Sequence, residues 1–235
     1  MANLWAAAAF FLAIHTGVSG TRLRDAVVGA VGEWPYLGAF ALASVGGLVW
    51  LIIGYNEAVM EPDRLYWVAP VGLKHMAPPV MLIAFLFAVV GLTTPNPTAF
   101  RSERVLDTEG DDALGIVHIT RHPFLWGVMI WSTLHIAMKG DKASILFFGT
   151  FLLVAALGTL SIDEKRRRKL GAKWDAFAAK TSNLPFAAIF SKRTKFRFTR
   201  HGWWRILASL IAFALMLYVH LWLFDVSPIL GWKPY

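Results

Sequence analysis

The stretch "RHPFLWGVMIWSTLHIAMKGDKASILFFGTFLLVAALGTLS", residues 121–161, holds two apolar runs with only Lys139-Gly140-Asp141-Lys142 between them. Each run approaches the roughly 20 residues that an α-helix needs to cross a bilayer. So short a connection forces an antiparallel helical hairpin. Working outward, the same kind of run recurs along the chain, and the predicted spans are 3–20, 35–56, 74–93, 122–139, 143–161 and 203–224. The third contains Pro78 and Pro79, residues suited to starting or kinking a helix. The fold class predicted is all-α: a polytopic integral membrane bundle of about six transmembrane helices, one domain over residues 1–235.

Composition narrows the chemistry. Of the 235 residues 57% are hydrophobic, which leaves no stretch long enough for a separate water-soluble domain. Cysteine is absent, so disulfides, thiolate-ligated zinc, iron–sulfur clusters and a thiol nucleophile are excluded. The net charge of +8 is concentrated between Lys165 and Arg200, which suits an anionic membrane face better than nucleic acid. On the six-span reading eighteen Lys and Arg fall on one side, in the loops 21–34, 94–121 and 162–202 and at Arg205, against five on the other. The positive-inside rule then places those loops in the cytoplasm and both termini outside it. The expected location is a bacterial inner (cytoplasmic) membrane, with both termini periplasmic. Met1 to Gly20 lacks a basic n-region and reads as a first span rather than a signal peptide.

Two cytoplasmic loops differ in character. Residues 94–121 read as a solvated connection. In 162–181, Leu170, Trp174 and Phe177 recur at helical spacing among basic residues, the pattern of an amphipathic helix lying on the cytoplasmic leaflet with Trp174 at the interface.

The candidate site residues are histidines. His15 falls in the inner half of the first span, His122 at the cytoplasmic mouth of the fourth, and His135 about 20 Å further along that helix. His75 opens the third span on the outer side, whereas His118 and His201 sit in polar loops and read as solvated. Depth pairs His15 with His122 and His75 with His135. Ionisable groups inside a bilayer are costly unless paired or used. Two imidazoles on different helices are the usual way a bundle holds a b-type haem. The competing reading is that each histidine bonds a neighbouring hydroxyl or carbonyl: Thr16 and Ser19 adjoin His15, and Ser132 and Thr133 adjoin His135. At the fourth span Pro123 fits the first helical turn, and Arg121 stays at headgroup level, where it suits a phosphate, a haem propionate or a cofactor carboxylate.

Three blocks carry a family resemblance: "LAIHTGVSGTRLRD" (12–25), "VGEWPYLGAFALASVGGLVWLIIGY" (31–55) and "RHPFLWGVMIWSTLHIAMKGDKASILFFG" (121–149). In this order they resemble the NnrU family, which includes the plant and algal 15-cis-ζ-carotene isomerases. The resemblance implies haem b held by histidines, with the family's histidines falling on His15, His122 and His135. It leaves His15 with His135 as open as His15 with His122. It implies either a role in nitrogen-oxide (denitrification) metabolism or haem-dependent cis–trans isomerisation of a polyene. The isomerases carry a cysteine shortly before the second histidine, and Ser132 stands near that place here.

In the C-terminal half, Arg121-His122-Pro123 at a helix start, followed one hairpin later by Asp163, Glu164, Leu170, Gly171, Trp174 and Phe177, also resembles isoprenylcysteine-type membrane methyltransferases. By that resemblance Arg121 would take the carboxylate of S-adenosylmethionine and Glu164 its amine, with a lipid-like acceptor. A non-catalytic membrane subunit is the third alternative. Membrane lipids are the expected partners, with a hydrophobic small molecule as the admissible substrate. No nucleic acid is expected, and assembly into an oligomer or larger membrane complex is left open.

Overall fold

The computed structural model describes residues 1–61, 64–99, 105–106, 115–197 and 202–229. These residues are helical apart from turns, connections and one isolated bridge between Leu65 and Asp141. The chain divides into two compact units, residues 1–70 with 132–161, and residues 71–131 with 162–235.

In the first unit α1 (Ala2–Leu12) runs into a π-helical stretch, Ala13–Val18, and the chain then bends by 81° into α2 (Leu23–Val31). Gly32, at φ +89°, turns it into α3 (Glu33–Val59). Leu4, Ala7, Ala8 and Phe11 are buried at i, i+3, i+4, i+7, one helical face. The partner face on α3 is Gly47, Leu51, Gly54 and Ala58. A Cβ on Gly54 would lie 3.0 Å from the Leu4 Cα, and one on Gly47 3.1 Å from Phe10 and Phe11. The two glycines let the helices approach closely, the packing favoured where lipid replaces water as solvent.

The hairpin turn follows from its sequence. Gly140, at φ +68°, ends α6 (Pro123–Lys139); a Cβ there would collide with the Trp67 carbonyl oxygen. Asp141 caps α7 (Lys142–Leu170): its Oδ1 accepts from the Ser144 N–H at 2.7 Å and its Oδ2 from the Ser144 hydroxyl at 2.8 Å.

In the second unit α4 (Val71–Phe85) contains Pro78 and Pro79 and continues through a π-helical stretch, Leu86–Val90, into α5 (Gly91–Thr93). The α4–α5 segment packs on α10 (Trp203–Phe224), with Phe85 and Phe213 at 5.7 Å, ring centre to ring centre. It also meets the start of α6, where a Cβ on Gly127 would lie 2.8 Å from the Ala84 oxygen and the Ala88 nitrogen. The short helices α8 (Ala172–Lys180) and α9 (Ala187–Phe190) complete this unit.

Helices lie over each expected span, but the count of six is not confirmed. Four helices, α3, 71–93, α7 and α10, are long and apolar enough to cross a membrane, and the bent α1–α2 pair makes a fifth if it is one broken span. The fourth expected span, α6, has 17 residues. At 1.5 Å per residue it covers about 25 Å, short of a hydrocarbon core of about 30 Å.

Two loop expectations are overturned. The helix expected at 162–181 is two: α7 runs without interruption to Leu170, Gly171 (φ +53°) breaks it, and α8 follows. Trp174 is not at a lipid interface. It is 0% exposed and packs with Val117 and Phe177 in a core joined by Leu106, Ile116 and Leu170. The solvated reading of 94–121 fails at its described residues, where Thr94, Asn96, Val117, His118 and Thr120 are all buried. His201, Arg101 and Arg104 lie outside the described residues.

Candidate functional site

The Arg121-His122-Pro123 triplet lies where the chain enters α6. Pro123 occupies the first helical position, where no backbone donor is lost. The backbone ahead of it is fastened on both sides. Arg121 N–H donates to the Ser182 carbonyl at 2.8 Å, and the Arg121 carbonyl accepts from Asn96 Nδ2 and Thr98 Oγ1, each at 2.8 Å. Thr120 Oγ1 donates to the Asn183 carbonyl, which also accepts from Trp126 Nε1 at 2.9 Å.

Held this way, both side chains meet Asp163. His122 Nε2–H donates to Asp163 Oδ1 at 2.7 Å; Arg121 Nε donates to the same oxygen at 3.3 Å and its Nη2 to Oδ2. The imidazole is 1% exposed, the guanidinium 12% and the carboxylate 18%. The Arg121 guanidinium also sits 5.9 Å from the Trp174 ring. Asp163 lies past Ser161, beyond the apolar part of α7. Burial alone would raise its pKa. The hydrogen bonds from His122 and Arg121 outweigh burial and hold the carboxyl below its ordinary value. Charge-assisted and bidentate, this contact is of the strong kind, and it offsets the cost of taking the ions out of water.

His15 is bound quite differently. It lies in the π-helical stretch Ala13–Val18, a local geometry often found at functional sites. Its Nδ1–H donates to the Phe11 carbonyl at 2.9 Å. That bond fixes the tautomer and leaves Nε2 with a lone pair. The ring packs against Phe11 at 4.2 Å and edge-on to Phe40 at 5.2 Å. His15 lines an open pocket of about 360 Å³ with Thr16, Leu157, Gly158, Leu160 and Ser161. An apolar groove of about 430 Å³, lined by Ile14, Val18, Val27, Tyr36, Phe40 and their neighbours, runs along the same stretch.

His135 stacks on Phe148 at 4.6 Å. Ring contacts from Phe148 through Phe147 and Phe151 to Phe11 link it to His15 within the first unit. His75 is exposed on α4 and its Nδ1 donates to the Val71 carbonyl at 3.0 Å.

The donor chemistry sorts the three histidines for haem. His15 could hold a haem iron, because a backbone carbonyl holds its Nδ1 and its Nε2 keeps a lone pair. His122 fits only if its Nε2 leaves Asp163, since that nitrogen is occupied. A face of His135 is covered by Phe148. Among the described residues no group of three or more His, Asp or Glu side chains converges to hold a bare metal ion.

Arg121 is not the open cation expected at headgroup level, because Asp163 holds it. Glu164, expected on the amine of S-adenosylmethionine, is exposed and pairs with Arg168 at 3.4 Å, one turn along α7. The residue to which sequence reasoning gave no role is Asp163, named only as part of the methyltransferase-like stretch beside Glu164. Counted from the Gly140–Asp141 turn, it lies about as far along α7 as His122 lies back along α6, which is the signal that points to it.

The elements so far define a class: an α-helical membrane protein with one histidine built into an ion cluster and another left open beside an apolar groove. Residues 3–228 match the family model described as NnrU protein, and the chain belongs to the NnrU family. It is 25% identical over 190 residues to the "15-cis-zeta-carotene isomerase, chloroplastic" of Zea mays, covering 79% of this chain and 50% of that protein. It is 24% identical over 188 residues to the protein of the same name from Arabidopsis thaliana, covering 78% and 49%. The chain thus spans about half the length of these curated relatives. No solved structure matches it.

Proposed function

We propose that this chain is a haem-b-binding cis–trans isomerase of a polyene, such as a carotenoid, working in a bacterial inner membrane. The observation that carries the reading is His15: its Nδ1 is committed to the Phe11 carbonyl and its Nε2 is free, beside an apolar groove. The names of the two plant relatives supply the substrate class.

A bound haem would supply an iron centre able to polarise a π-bond and lower its rotation barrier. The chain's own part is orientation and exclusion. The Phe11 carbonyl fixes the imidazole, and Phe11 and Phe40 set its plane. The groove walls, Ile14, Val18, Val27 and Phe40, present no charge and suit an extended hydrocarbon. His135, joined to His15 through the phenylalanine contacts, is the second candidate ligand, and His122 the third.

The test has two readouts. The purified protein is examined by reduced-minus-oxidised absorption and pyridine haemochrome. The chain is also produced in bacteria that accumulate 15-cis-ζ-carotene, kept dark, with the isomers separated by chromatography. The expected result is b-type haem near one per chain and loss of the 15-cis isomer, both abolished in His15→Ala. A protein that stays colourless after haem reconstitution and leaves the 15-cis isomer untouched overturns the reading. Haem that binds nitric oxide when reduced, with the carotene unchanged, would favour the nitrogen-oxide role instead.

A further inference from the structure

We propose that residues 184–197 form a membrane-contact element that seats aromatic side chains in the bilayer surface and draws anionic lipid headgroups to it. Once Trp174 and Phe177 are buried, α8 has no apolar side left for lipid. The apolar surface of this region lies just downstream. Phe190 is 80% exposed, and Leu184, Phe186 and Phe196 are exposed as well. Lys192, Lys195 and Arg197 stand exposed among them.

The backbone holds these aromatics outward. Phe186 adopts φ +64°, a left-handed conformation that a bulky side chain rarely takes. It is fixed there by its N–H donating to the Ile119 carbonyl at 2.8 Å, while Ser182 Oγ accepts from the Ala188 N–H at 3.0 Å. Phe186 and Phe190 then lie side by side, 6.2 Å between ring centres. A turn that keeps large rings in the open, at the expense of backbone strain, calls for something apolar to cover them.

Position and charge say what covers them. Ile119 is four residues ahead of α6, so Phe186 is tied to the mouth of that helix, within about 14 Å of chain. Phe196 precedes by seven residues the first residue of α10, a membrane-length helix that begins with exposed Trp203 and Trp204. From Ala176 to Phe224 there is no Asp or Glu, whereas Lys180, Lys192, Arg193, Lys195, Arg197, Arg200 and Arg205 all fall in that interval. A surface of aromatic rings among cations, in a stretch of sequence without carboxylates, complements an anionic leaflet and not an apolar protein face. Arg193 is already committed, its guanidinium capping the end of α8 on the Ala179 and Thr181 carbonyls.

The absence of native cysteine makes the test direct. Phe190→Cys introduces a unique thiol on a mostly exposed side chain, to be labelled with an environment-sensitive fluorophore. The full chain is then reconstituted in phosphatidylcholine vesicles with or without phosphatidylglycerol. The expected label is quenched by headgroup-proximal spin-labelled lipid and shielded from aqueous iodide, more strongly with phosphatidylglycerol. Adding Lys192→Glu, Lys195→Glu and Arg197→Glu should abolish the phosphatidylglycerol dependence. A label open to iodide and unquenched by lipid in both mixtures overturns the proposal. Shielding from both reagents overturns it too, because protein would then cover the ring. A phosphatidylglycerol dependence that survives the charge reversals overturns the headgroup assignment.

Discussion

His15 and His122 were both expected as ligands of one cofactor, yet their surroundings are opposite. His122 is enclosed, its Nε2 spent on a carboxylate that also holds an arginine. His15 spends only Nδ1, on a backbone carbonyl, and lines an open pocket with Thr16, Leu157, Gly158, Leu160 and Ser161. The first arrangement is complete in itself and pins the entry of α6. The second has chemistry left over. A buried polar network that satisfies itself contributes to stability, whereas a donor atom left available is a candidate for ligand or substrate. On the proposed function, the contrast gives His122 a structural part and His15 the ligand's part.

Removing the hub of the closed arrangement should have the largest effect on stability. Asp163→Ala strands a guanidinium and an imidazole that are almost fully buried. The expected loss is about 3 kcal/mol, the low end for breaking a buried pair because the carboxylate keeps some water. It is read as a fall in the unfolding midpoint followed by tryptophan fluorescence, and an unchanged midpoint would remove the structural role. The same carboxyl sets a pH dependence. Its pKa is lowered in the folded state, so the stability it contributes is fully present above the ordinary value of about 4 and is lost as pH falls through the folded value. Wild type should therefore lose stability below about pH 4 in a way that Asp163→Asn does not.

The two histidines themselves should separate by readout. His15→Ala is expected to lower haem content and isomerisation at least tenfold, with a stability change below about 1.5 kcal/mol, because only one main-chain bond and two ring contacts are given up. His122→Ala should do the reverse, losing about 2 kcal/mol of stability and retaining haem. If His122→Ala abolishes haem while leaving the midpoint in place, the assignment of roles is inverted.

The helices were legible in the sequence because their ends are marked. Gly140 and Asp141 close one helix and open the next, Pro123 starts α6, and the run 203–224 agrees with the structure at both bounds. The family histidines were legible as residues but not as roles. Whether an imidazole is spent depends on which nitrogen its rotamer turns to a partner, and no spacing encodes that. The role of Asp163 stayed hidden because its partners are 41 and 42 residues away and Glu164 next to it carries the same charge. Trp174 misled for a related reason. Leu170, Trp174 and Phe177 announce an apolar face, but periodicity is silent on whether lipid or Val117 covers it.

Close helix contacts give a sharper, smaller test of the second unit. A Cβ at Gly127 would press on main-chain atoms of Ala84 and Ala88, neither of which can yield like a side chain. Gly127→Ala should cost about 1–3 kcal/mol by overpacking. Gly46 on α3 has nothing within 4 Å of its added carbon. Gly46→Ala should be neutral, or stabilising by up to about 1 kcal/mol through helix propensity. Equal midpoints for the two variants would mean that the α4–α6 contact is looser than described.

The smallest effect is expected at the acidic residue next to the hub. Glu164 pairs with Arg168 across one helical turn in the open, and such pairs contribute about 0.3–0.5 kcal/mol. Glu164→Ala should therefore leave the unfolding midpoint within error of wild type and leave haem content and carotene isomerisation unchanged. Set beside Asp163→Ala, it isolates what enclosure does, because the two carboxylates are neighbours on one helix and differ in what they touch. It also decides the methyltransferase alternative. There Glu164 would hold the cofactor amine, and saturable S-adenosylmethionine binding lost in Glu164→Ala would move the chemistry from His15 to the mouth of α6.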